Sequence, residues 1–127
     1  YTKVGGVYER GFRHDPEKPL ETLAEYCLGC YTNLNLPDRV GMIANYVKEY
    51  NADGFLMNSV KSCNSFSSGQ LVMLREVEKR TGRAGAFIET DLVDPRYFSA
   101  SNVKNRLESY FQMLAQKRAA AQAEVMA

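Results

Sequence analysis

A chain of 127 residues has room for one domain with a modest core. Its 45% hydrophobic and 24% charged residues are ordinary for a globular protein. Lys and Arg number 16 and Asp and Glu 15, so the net charge of +1 gives no electrostatic reason to expect nucleic acid or a membrane surface as partner.

No apolar run approaches the roughly 18 residues of a membrane span, and no signal peptide is visible. The first residue is Tyr1 rather than Met, which reads as a fragment of a longer chain. The 3 cysteines are an odd number, whereas a disulfide scaffold wants an even one. A reducing, cytoplasmic setting is the better expectation, with the thiols free, buried or metal-bound.

In chain order, residues 1–18 mix Gly, charge and Pro, with at most a short extended piece over Val4–Tyr8. Pro19 opens a helix over 19–28, in which Leu20, Leu23, Ala24 and Cys27 recur at helical spacing, and Gly29 ends it. Pro37 opens a second helix over 37–50, with Val40, Ile43, Ala44, Val47 and Tyr50 on one face and Asn51 at its end. Residues 54–58 form a short apolar run of strand length. A third helix is expected from Ser67 or Ser68 to about Arg80, with Leu71, Leu74, Val77 and Met73 as its inner stripe and Gly82 as its stop. A second core strand covers 84–89, and a Pro-containing loop follows. Ser99 caps a last helix that buries Val103, Leu107, Tyr110, Phe111 and Leu114. Beyond Lys117 the residues are helix-prone but small or polar, and 118–127 reads as a fraying helical tail.

Strands alternating with helices argue for parallel pairing through helical crossovers. The fold class expected is therefore α/β, a flavodoxin-like or Rossmann-like parallel sheet flanked by helices. Two strands are too few for a stable sheet of that kind, so 1–127 reads as one incomplete domain.

In open parallel sheets, ligands bind at the carboxyl ends of the strands. Two segments occupy such positions, "NSVKSCNSFSSG" and "TDLVDPR". Cys63 lies in the first, ahead of a helix whose amide groups would favour thiolate. Asn58, Ser59, Ser62, Asn64, Ser65, Ser67, Ser68 and Gly69 surround it with small polar groups able to approach a ligand. The competing reading is a half-buried structural thiol, and spacing alone favours it. Glu89, Asp91 and Asp94 follow the second strand. Paired carboxylates there can do acid/base work, or they can cap the loop and pair with Arg96, and the structural role weighs more.

Cys27 and Cys30 form a C-x-x-C, which offers a dithiol or half a zinc site. They end a helix instead of preceding one, where the dipole disfavours thiolate, and packing is the simpler role. His14, the single histidine, sits in a charged loop. No phosphate-binding G-x-x-x-x-G-K-[ST] loop is present.

Taken in order, Ala52-Asp53-Gly54, Ser62-Cys63, Glu89, Asp91, Asp94, Arg96, Phe98-Ser99 and Arg106 with Glu108 resemble the C-terminal part of the 2-hydroxyacyl-CoA dehydratase and benzoyl-CoA reductase family. The resemblance covers about residues 19–115. The "NSFSSGQ" after Cys63 looks closer to the reductase branch than to the dehydratases, which often carry Asp-Pro there.

The resemblance implies an iron–sulfur subunit paired with a homologous large subunit. Cys63 is carried over as one ligand of a [4Fe–4S] cluster, with Ser62 and Asn64 beside it and the other ligands upstream of this chain. It also implies an ATP-hydrolysing iron–sulfur activator as partner, so that ATP binds elsewhere, and low-potential electrons delivered to an aromatic acyl-CoA thioester. Glu89 or Asp91 is the expected proton donor by position. One ligand cannot hold a cluster, so the isolated chain is expected to be inactive. Alternatives are a 2-hydroxyacyl-CoA dehydratase subunit, a non-catalytic interaction domain of the same fold, and a small zinc or dithiol module built on Cys27 and Cys30.

Overall fold

Parallel strands need a crossover between them, and the chain supplies one. The computed structural model describes residues 13–126, with side chains through Ala123. The Val4–Tyr8 piece lies outside the described residues. The elements are α1 (Pro19–Leu28), α2 (Leu36–Glu49), β1 (Gly54–Val60), α3 (Asn64–Ser67), α4 (Gln70–Thr81), β2 (Ala84–Thr90) and α5 (Ala100–Met126), with 3-10 turns at Tyr31–Asn33 and Pro95–Tyr97. The chain divides into two compact units, one through Arg39 and one from Val40.

In the first unit, Pro19 opens α1 and Gly29 follows it, as expected. The predicted apolar stripe of α1 is not a buried one, since Leu20 is 77% and Leu23 50% exposed. Arg39 gathers the turn after α1 by donating to the carbonyls of Thr32 (2.6 Å) and Leu34 (2.9 Å), with its guanidinium beside the Tyr31 ring.

The second unit is the α/β part. β1 and β2 pair in parallel, with Gly54 opposite Ala84 and Val60 opposite Thr90. The flanked parallel sheet expected from the sequence is present, in a two-stranded form. Alternation along β1 sends Phe55 and Met57 to one face and Leu56 to the other. On the first face lie Met73 and Val77 of α4 and Val40 and Val47 of α2, with Ile43, Leu74 and Phe87 packed around them. Each such side chain contributes about 1.5–3 kcal/mol of apolar burial. Gly85 is needed in this layer, because a side chain there would run into the Phe55 ring and Leu74.

α5 covers part of the opposite face and runs antiparallel to the strands. Near its start, Arg106 donates to the Phe87 carbonyl (3.1 Å). One turn on, the Tyr110 hydroxyl reaches the carbonyls of Phe55 (3.1 Å) and Ala84 (2.8 Å), bridging both strands. Farther along, Arg118 pairs with Asp53 at 3.7 Å. Between α5 and the amino-terminal edge of the sheet lies an open, mostly apolar groove of about 690 Å³, lined in part by Leu56, Leu107, Phe111 and Leu114.

Several expectations shift. The strands run on to Val60 and Thr90, past the apolar runs. The helix after Cys63 is broken in two: a single turn, α3, then Gly69 with φ of 77°, then α4 from Gln70. The inner stripe of α4 is accordingly Gln70, Met73 and Val77, while Leu71 is 52% exposed. Phe111 on α5 is exposed as well. The helix α5 continues without a break through residues 118–126. Gly82, with φ of 69°, ends α4 in the left-handed conformation that glycine adopts freely.

Candidate functional site

The carboxyl ends of β1 and β2 lie side by side because their register ends at the Val60–Thr90 pair. The loops carrying Cys63 and Asp91 are therefore neighbours, as the crevice argument requires. The ladder extends by one more backbone bond, from the Lys61 amide to the Thr90 carbonyl (3.0 Å). The Cys63 amide then donates back to the Val60 carbonyl (3.1 Å), closing a tight turn.

Asp91 ties the two loops together. Its Oδ2 accepts from the Ser62 amide (2.9 Å). Its Oδ1 accepts from the Ser62 hydroxyl (3.0 Å), the Val93 amide (2.8 Å) and the Asp94 amide (3.0 Å). The amides of Val93 and Asp94, followed by the two Ser62 donors, hold its carboxyl at about 2, well below the usual aspartate range. Asp94 forms a bidentate pair with Arg96, with contacts down to 2.6 Å, and accepts from the Arg96 amide. The Arg96 guanidinium lowers the Asp94 carboxyl, and that carboxylate raises Arg96 in turn. The structural role weighed for Asp94 is the one observed.

Cys63 is half-buried and free of disulfide. It immediately precedes α3, which has only four residues, so the long helix expected to follow it starts seven positions later at Gln70. The dipole argument for this thiol therefore loses its helix: a single turn aligns too few peptides. Ser62 and Asn64 flank it and are exposed. Gln70 is almost fully buried, and its Oε1 has no partner among the described residues.

Glu89, one residue before the end of β2, is exposed and lines a cleft of about 250 Å³ with Lys61, Arg96, Tyr97, Ser99 and Arg106. The Lys61 ammonium rests 4.5 Å from the centre of the Tyr97 ring. Glu89 thus faces a cationic cleft, whereas Asp91 is turned into the loop junction. The Lys61–Tyr97 contact and the Asp91–Ser62 tie are not visible in sequence spacing. Only a strand register bringing 61–63 beside 90–94 would have exposed them.

In the first unit, Cys27 lies exposed in the last turn of α1. The half-buried Cys30 points its thiol at the Tyr26 carbonyl (3.5 Å). His14 stacks near Tyr26, with ring centres 5.5 Å apart.

Among the described residues, no three His, Cys, Asp or Glu side chains are grouped so as to hold a metal ion. A [4Fe–4S] cluster takes four ligands, usually thiolates. Cys63 has the donor chemistry and the crevice position for one of them, and the described residues do not supply a complete set.

Residues 2–114 match the family described as 2-hydroxyglutaryl-CoA dehydratase, D-component. The chain belongs to that family. Within it, the chain is 73% identical over 121 residues to a benzoyl-CoA reductase subunit from Thauera aromatica, covering 95% of this chain and 28% of that protein. It is 23% identical over 106 residues to the alpha subunit of lactoyl-CoA dehydratase from Anaerotignum propionicum, covering 84% of this chain and 25% of that protein. The family resemblance read from the ordered motifs is borne out, including its reductase branch. The chain spans about a quarter of the length of these relatives. Among the described residues no helix is long and apolar enough to cross a membrane.

Proposed function

We propose that this chain is the crevice-forming portion of a benzoyl-CoA reductase-like subunit, acting in reduction of an aromatic acyl-CoA thioester. The observation carrying this reading is the 73% identity to the Thauera aromatica reductase subunit, which extends over 95% of the chain. The dehydratase reading has the weaker 23% match.

In this reading Cys63 supplies one thiolate to a [4Fe–4S] cluster whose other ligands come from outside the chain, with Ser62 and Asn64 beside it. When bound, that cluster passes single electrons at low potential. An ATP-hydrolysing iron–sulfur activator, a homologous large subunit and a cytoplasmic setting complete the proposal.

The chain's own residues would then govern protons and access. Reduction of a ring adds protons as well as electrons, so a donor is needed in the crevice. Glu89 is proposed by position alone: its carboxyl is exposed in a cleft that Lys61, Arg96 and Arg106 also line. Those cations could also receive an anionic intermediate. Asp91 is the poorer donor, since a carboxyl held at about 2 carries almost no proton near neutrality.

The test is a Cys63→Ser substitution in the full-length protein purified without oxygen with its partner. Iron content and the low-temperature EPR signal should fall sharply. Full retention of both would rule out Cys63 as a ligand. Glu89→Gln should lower turnover while leaving iron content unchanged.

A further inference from the structure

The turn that presents Cys63 has three successive amides, and each is already engaged. Lys61 donates to Thr90, Ser62 to Asp91 and Cys63 to Val60. Thr90 ends β2 and Asp91 follows it, and of the three acceptors only Asp91 accepts through its side chain. We infer that Asp91 is a positioning residue, which holds the Ser62–Cys63 turn against the β2 loop and so fixes where the Cys63 thiol stands in the crevice. Its importance for chemistry rests on the ligand role proposed above. The tie itself rests on distances within this chain.

The carboxylate divides its work by oxygen. Oδ1 organises its own loop through Val93 and Asp94 and also accepts the Ser62 hydroxyl. Oδ2 accepts the Ser62 amide alone, 29 residues away in sequence. Both donors from Ser62 reach an ionised acceptor, the stronger class of hydrogen bond. An amide in place of the carboxylate would keep an oxygen for the local loop but place an NH2 group where Oδ2 stands. That group cannot accept from the Ser62 amide, so the substitution cuts the amide arm between the loops and spares the local bonds and the Ser62 hydroxyl arm on Oδ1.

The experiment uses the 127-residue chain. Cys63 alkylation by iodoacetamide is followed by peptide mass mapping, which separates it from Cys27 and Cys30. Amide hydrogen exchange is read at residues 61–63 and 91–94. Asp91→Asn should alkylate at Cys63 about fivefold to tenfold faster, as loss of one such bond implies. Protection should fall at the Ser62 amide and remain at Val93 and Asp94, with Tm little changed. Ser62→Ala, which removes only the hydroxyl arm, should give a smaller increase.

Wild-type alkylation with Ser62 still protected in Asp91→Asn would overturn the proposal. A uniform loss of protection with a lower Tm would overturn it too, because Asp91 would then be a general stabiliser. Iron retained by Cys63→Ser in the larger assembly would sink the ligand reading while leaving the tie intact, so the two failures are distinguishable.

Discussion

At Asp91 the ionised form accepts four hydrogen bonds that its protonated form would partly lose. Its folded value of about 2 lies below the ordinary aspartate value of about 3.9. A depressed carboxyl stabilises the fold above its unfolded value, and that contribution disappears as pH falls through the folded one. The loop junction should therefore be intact above about pH 4 and open progressively toward pH 2. In an NMR titration, the Ser62, Val93 and Asp94 amide shifts should move together with a midpoint near 2. A midpoint near the ordinary aspartate value would show that the carboxylate is not engaged. None of this could be read from spacing. "ETDLVDPR" announces carboxylates after a strand, but which of them turns inward depends on a partner 29 residues earlier.

Among the elements, the punctuation residues carried most of the information. Pro19 and Gly29 bracket α1, Asn51 with φ of 46° follows α2, and Gly82 ends α4. Pro19, Asn51 and Gly82 act through local backbone preference, which sequence displays directly, whereas Gly29 keeps an ordinary right-handed helical conformation. The interior of α4 was less legible because a polar residue, Gln70, takes a core position, and because Gly69 delays the helix start. Rotating the stripe by one residue makes Met73 central and Leu71 peripheral. Met73→Ala should therefore cost about 2–5 kcal/mol in a denaturant titration. Leu71→Ala should stay within about 0.5 kcal/mol. Equal costs would mean the helix sits in the other phase. Strand ends were missed for a related reason: Ser59 and Val60 continue β1 by pairing with β2, where no apolar run marks them.

For the whole molecule, the α/β class and the crevice at the strand ends were readable from the order of elements. The shortage of strands fits a chain that spans about a quarter of its relatives' length. A two-stranded parallel sheet leaves a backbone edge on each strand without a strand partner among the described residues, and unpaired edges promote association. Beside it, Leu56 is 46% and Phe111 60% exposed along the apolar groove. Relatives more than three times as long have ample sequence to cover such surfaces. Produced alone, the chain should self-associate with rising concentration in light scattering, and Leu56→Lys should reduce that tendency. A chain that stays monomeric at high concentration would show these surfaces to be harmless.

The helix α5 touches both regions. Ser99, just before it, lies at the cleft with Glu89, and Arg118 meets Asp53 at the far edge of the sheet. The stretch between them is continuous helix, about 28 Å long at 1.5 Å per residue. Arg106 and Tyr110 fasten that rod near its middle. It is then a shared beam: one unbroken helix walls the cleft of Glu89 up to Arg106 and the apolar groove from Leu107 onward.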